Sequence, residues 1–163
     1  MANTEDYIQI MIDSLVKKKE LLEKIIRKND SQNACVAGKD YDSIDWDAFN
    51  LLIAEKEVAI ERINEMDDGF QALYDRVSKD LKENKAQYAD QIKEMQRLIT
   101  ELEEKSVKIR TGEEKNRSII DKVMAGRKQE IRKARTSMKV ASGYYKTMQS
   151  SFASDVSSVD KKK

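Results

Sequence analysis

The sequence predicts an all-α protein, built as an elongated antiparallel coiled-coil hairpin or a three-helix bundle. Three observations carry that expectation. The 163 residues include no proline and only five glycines, so the punctuation of a sheet protein is nearly missing. Charged residues make up 37% and aromatic ones 6%, which suits long amphipathic elements with one apolar stripe and a solvated back. Apolar residues also recur at three-four and seven-residue spacing along most of the chain. A chain of this length fits one domain, and residues 1–152 are assigned to it.

The first helix is predicted over about 4–29. Asn3 or Thr4 supplies the N-cap, and Glu5 and Asp6 place carboxylates at the positive end of the helix dipole. Ile8, Met11, Ile12, Leu15, Leu22, Ile25 and Ile26 form its stripe, Lys18 interrupts it, and the pattern dies at Asn29. Asn29 to Ser43, NDSQNACVAGKDYDS, is rich in turn formers and reads as a connection with room for a short helical piece.

A second helix over 45–83 starts at Ser43 or Asp45. Phe49, Lys56, Ile63, Phe70 and Val77 repeat at sevens, with Ile53, Ile60, Asp67, Tyr74 and Leu81 as the second seam position. Gly69 falls inside this run. The apolar positions thin out at Glu83 to Ala86, where a turn is the preferred break because a hairpin buries its stripe within one chain; an unbroken helix over 45–150 would need intermolecular pairing to do so.

The third helix, over 87–150, carries Tyr88, Met95, Leu102, Ile109, Asn116 and Val123 beside Ile92, Ile99, Ser106, Glu113, Ile120 and Arg127. The step from Ile120 to Ile131 is eleven residues, the mark of an inserted stutter. Ile131, Met138, Tyr145 and Phe152 then carry one line, and Ala134, Ala141 and Met148 the other. Residues 153–163 read as a flexible basic tail.

Composition argues against an enzyme and assigns no cofactor or metal site. There is no histidine, and the acidic pairs Asp67–Asp68, Glu103–Glu104 and Glu113–Glu114 are adjacent, so a helix splays them apart instead of converging them in a pocket. No phosphate-binding glycine fingerprint occurs. The single Cys35 has no partner for an internal disulfide. No apolar run approaches the roughly 20 residues of a bilayer span, and the opening residues lack a secretory pattern, so a cytoplasmic protein is expected.

Net charge is +1, but it is unevenly spread. Residues 40–83 hold 13 acids against 5 bases, and residues 122–163 hold 11 bases against 3 acids. Oppositely charged helices lying side by side would account for this. The cluster Arg127, Lys128, Arg132, Lys133, Arg135 and Lys139 could contact phosphates, but Ile131, Ala134 and Met138 interleave with it as an apolar stripe. That favours an amphipathic packing helix over nucleic-acid binding.

Three stretches resemble a known family: EKEVAIERINEMDDGFQALYDRV, IKEMQRLITELEEKSVKIRTGEEKNRSII, and SMKVASGYYKTM with a terminal VDKKK. Together they are similar to FlgN-type flagellar export chaperones of Gram-positive anaerobes, in the group that also holds FliT-like proteins, and the likeness covers most of the chain from about Phe49 onward. The resemblance implies a small, all-helical, non-enzymatic chaperone. It would hold hook-associated proteins of the hook-filament junction by their carboxy-terminal amphipathic helices and hand them to the export apparatus. Carried onto this chain, it assigns client binding to Ala134, Met138, Ala141, Tyr144, Tyr145 and Met148. Methionine repacks easily and tyrosine joins an apolar body to a polar tip, which suits adaptable recognition. The same residues could instead pack only within their own chain, and a structural coiled-coil protein, including a homodimer, would use similar heptads.

Overall fold

The computed structural model describes residues 3–161, and side chains as far as residue 140. The described residues form three α-helices joined by short connections, with no strand among them: α1 Thr4–Val36, α2 Trp46–Glu83 and α3 Ala89–Lys161. The chain divides into two compact units, Met1–Ile120 and Asp121–Lys163, where the sequence suggests one domain over 1–152.

The first unit is an antiparallel three-helix bundle, and local chemistry sets its helix ends. Asn3 caps α1 in a capping box: its side chain accepts from the Asp6 amide at 2.9 Å, and the Asp6 carboxylate accepts from the Asn3 amide at 3.3 Å. Asp45 caps α2 by accepting from the Ala48 amide at 3.0 Å. Between them Gly38 takes a left-handed backbone, φ +69°, which glycine adopts without a Cβ clash. A 3-10 turn at Tyr41–Ser43 follows. The Trp46 indole donates to the Tyr41 carbonyl at 3.1 Å, and its ring packs edge-on against Phe49, fixing the entry into α2.

A turn over residues 84–88 joins α2 to α3, where the spacing predicts the break. Asn84 ends α2 and its side chain reaches back to Asp80 Oδ1 at 2.6 Å. The Asp80 carboxylate is held below the usual carboxylate range, first by a hydrogen bond from Thr4 and then by Asn84. The Tyr88 hydroxyl donates to Asp80 at 3.3 Å, and burial together with that neighbouring charge pushes its pKa up.

Three helix boundaries differ from the sequence reading. First, α1 continues seven residues past Asn29, as far as Val36. The apolar stripe stops at Asn29, yet Asn29, Gln32 and Val36 remain buried at the same three-four spacing. Tertiary hydrogen bonds replace apolar packing there, so loss of hydrophobicity is not loss of helix. Second, α3 begins at Ala89, two residues after the expected start, because the turn extends through Tyr88. Third, its backbone stays helical to Lys161, past the expected end at residue 150 and through most of the stretch read as a tail.

A further correction concerns the seam. The line Phe49, Lys56, Ile63, Phe70 and Val77 does face the core of the bundle, as do Tyr88 in the turn and Met95, Leu102, Ile109 and Asn116 on α3. The second line lies four residues on only near the 84–88 turn, where Leu81 is buried and Ile92 packs against the core. In α2, Ile53, Ile60 and Tyr74 are exposed, whereas Leu52, Ala59, Met66 and Leu73, three residues on from the first line, are at least partly covered. In α3, Ile99 is 39% exposed while Leu98 is 1% exposed. Both lines lie on one apolar side of a helix, and the direction of the neighbouring helices selects between them.

Candidate functional site

Two surfaces and one buried polar layer hold the residues that packing alone does not explain. The buried layer sits where α1 would otherwise have ended. The Lys56 ammonium donates to Asn29 Oδ1 and to Glu113 Oε1, both at 2.9 Å. Asn29 Nδ2 donates to the Ile109 carbonyl at 3.3 Å, Asn116 Nδ2 to the Asn29 carbonyl at 3.0 Å, and Asn33 Nδ2 to Asn116 Oδ1 at 3.2 Å. Gly112 adjoins this layer: a Cβ there would stand 3.4 Å from Asn29 Nδ2. All three helices meet through satisfied polar groups, the arrangement by which a coiled coil fixes register at a cost in stability. Asn29, Lys56 and Asn116 are buried in it, while Glu113 reaches the surface. Among the described residues no acidic or cysteine cluster could hold a metal ion.

The first surface carries the residues the sequence assigns to client binding. Ala134 and Met138 lie one helical turn apart on α3, in the unit Asp121–Lys163, and both are exposed. Met138 is 70% exposed, and Met124 and Ile131 precede it on the same seven-residue line with more than a third of their surface open. Ala141, Tyr144, Tyr145 and Met148 belong to the same helix, but their side chains lie outside the described residues. Arg127, Lys128, Arg132, Lys133, Arg135 and Lys139 surround the described part of the stripe, and Arg127 lies 3.8 Å from Glu130.

The second surface belongs to the bundle, and the sequence reading missed it. Two depressions, of about 530 and 360 Å3, lie between α2 and α3 with α1 at their base, and Phe70 and Ile99 line both. Their walls include Tyr74, Ile92 and Ile99, all from the lines first read as seam. The signal was present in α2, whose apolar residues fall on three lines: Ile53, Ile60 and Tyr74 lie on one that the bundle leaves mostly exposed.

Ion pairs tie α1 to both flanking helices. Lys18 meets Asp67 of α2 at 2.7 Å, Lys28 pairs with Glu55, Lys19 meets Glu101 of α3 at 2.6 Å, and Glu23 meets Lys105 at 3.3 Å. Lys19, followed by Arg97, holds the Glu101 carboxyl below its ordinary range, and Arg97 does the same for Glu94. Between α2 and α3 the Lys56–Glu113 pair lies far along the helices from the turn, and the groove opens between these two ends.

No family model matches the chain, and no curated protein or solved structure is significantly similar to it. Among the described residues no helix is long and apolar enough to cross a membrane.

Proposed function

We propose that this protein is a cytoplasmic, non-enzymatic flagellar export chaperone. In this reading it binds the carboxy-terminal amphipathic helix of hook-associated proteins and keeps them competent for the export apparatus. The resemblance in the helical stretches supplies the biological setting. The observation that supports helix capture is the open stripe on α3, where Ile131, Ala134 and Met138 sit at helical spacing on a basic helix. A client helix with an acidic polar face would bury that stripe and neutralise its flanks.

Co-purification with the carboxy-terminal helices of the junction proteins from the same organism tests the proposal. A stable one-to-one complex is expected, and Met138→Glu should weaken it without lowering the melting temperature, because the side chain is already exposed. No complex with any junction-protein helix would remove the chaperone reading. The seven-residue line Met124, Ile131 and Met138 favours a second reading, a self-associating coiled coil with no client. A concentration-dependent dimer that Met138→Glu dissociates would select it.

A further inference from the structure

The two depressions between α2 and α3 share Phe70 and Ile99 and together form one groove. It follows α3 from Ala89 to Arg110, roughly 30 Å at 1.5 Å per residue. A helix of about 20 residues has that length. Phe70, Tyr74 and Leu81 contribute from α2, Ile92, Met95 and Ile99 from α3, and Met11 reaches the base from α1. Tyr74 and Ile99 stay exposed although each sits beside buried core.

Charge defines what could lie there. Lys82, Lys85 and Lys93 border the wider depression, and no aspartate or glutamate does. None of the three has an ion-pair partner among the described residues. The lysines along the other inter-helical seams behave differently: Lys18, Lys19, Lys28 and Lys105 each meet a carboxylate of the facing helix. The narrower depression is mixed in sign, with Lys18 and Asp67 paired and Glu103 and Arg110 at its edge.

We propose that the α2–α3 groove is a docking site for an amphipathic helix of a partner protein, apolar on one face and acidic on the flank that meets Lys82, Lys85 and Lys93. Such a helix would set apolar anchors at i, i+3, i+4 and i+7 against Tyr74, Ile92 and Ile99 and complete a four-helix bundle. The open stripe of a second copy is a poor occupant, since Arg127, Lys128, Arg132 and Arg135 would meet lysines of the same sign. The inference does not rest on the flagellar reading, which concerns Met138 and its neighbours.

The test uses the full chain and two labelled synthetic helices of about 20 residues, read by fluorescence anisotropy. Both carry leucines at i, i+3, i+4 and i+7; one has glutamates on its flanks and the other lysines. The glutamate helix should bind, with affinity falling as salt rises. Joint Lys82→Glu, Lys85→Glu and Lys93→Glu substitution should weaken it at least about tenfold, and should let the lysine helix bind instead. Ile99→Glu should abolish binding while circular dichroism shows an unchanged fold, and Met138→Glu should leave binding intact. Absence of binding by the glutamate helix, or indifference to the lysine reversals, overturns the proposal. So does loss of binding in Met138→Glu, which would move the peptide to the other surface. A dimer that Ile99→Glu and the lysine reversals dissociate would also overturn it, by making a second copy the occupant.

Discussion

The two ends of the three-helix unit solve the same packing problem with opposite chemistry. At the end that holds Asn29, Lys56, Glu113 and Asn116, polar groups from all three helices satisfy one another in a buried layer. At the end near the 84–88 turn, Ile8, Met11, Val77 and Leu81 give an apolar core, but Tyr74 and Ile99 beside it stay uncovered. The polar end gains register because an unmatched amide or ammonium there costs more than an unmatched methyl group. The apolar end gains stability and leaves surface over, because hydrophobic contact is not directional.

The largest expected effect falls on the apolar end. Ile8 is fully buried, and Ile8→Ala should cost about 2 to 5 kcal/mol in denaturant unfolding. A cost below 1 kcal/mol would show that this end is loosely packed and would erase the contrast.

Breaking the polar end should come next. Asn29→Ala takes one of its two acceptors from the buried Lys56 ammonium and the side-chain donor from the Ile109 carbonyl, at about 1 to 3 kcal/mol. Replacing Asn29, Lys56 and Asn116 together by leucine or methionine should be nearly neutral or stabilising, while hydrogen exchange or cross-linking reports alternative helix registers. A triple variant as poorly stable as the single one would mean that the layer does not act as a unit.

Acid should sharpen the comparison at the turn end. The folded-state pKa values of Asp80, Glu94 and Glu101 are lowered, so their contribution is present above the unfolded values, near 4, and is lost as pH falls through the folded ones. Melting temperature should therefore drop on acidification below about pH 4, and less so in Asp80→Asn. For Tyr88 the sign is opposite: its raised value gives stability that is present below about pH 10 and is lost above it.

Two smaller effects mark surface that the fold does not use. A Cβ at Gly69 would meet nothing within 4 Å, so Gly69→Ala should stabilise α2 by about 0.5 to 1 kcal/mol. Ile99→Ala should change stability by less than about 0.5 kcal/mol. A much larger loss would make the groove wall part of the core and close the case for a docking site there.

The residues themselves determined that the chain is helical, where α2 begins, and that a turn follows Glu83. Absence of proline, Asp45 ahead of an apolar heptad and the thinning at ENKA are local signals, and each acts within a few residues. The sequence also placed Ala134 and Met138 on one stripe of α3, because periodicity alone puts residues four apart on one side of a helix. Tertiary structure decided which of two apolar lines of α2, three or four residues on from Phe49, went inward over most of its length. Both lines are hydrophobic, so transfer free energy does not separate them; the crossing of the partner helices does. Packing likewise decided that α1 continues to Val36, since the groups that satisfy Asn29 come from Lys56, Ile109 and Asn116, 27 to 87 positions away. Helical periodicity reports which residues can share a face, but only the assembled bundle selects the face that is buried and leaves the α2–α3 groove uncovered.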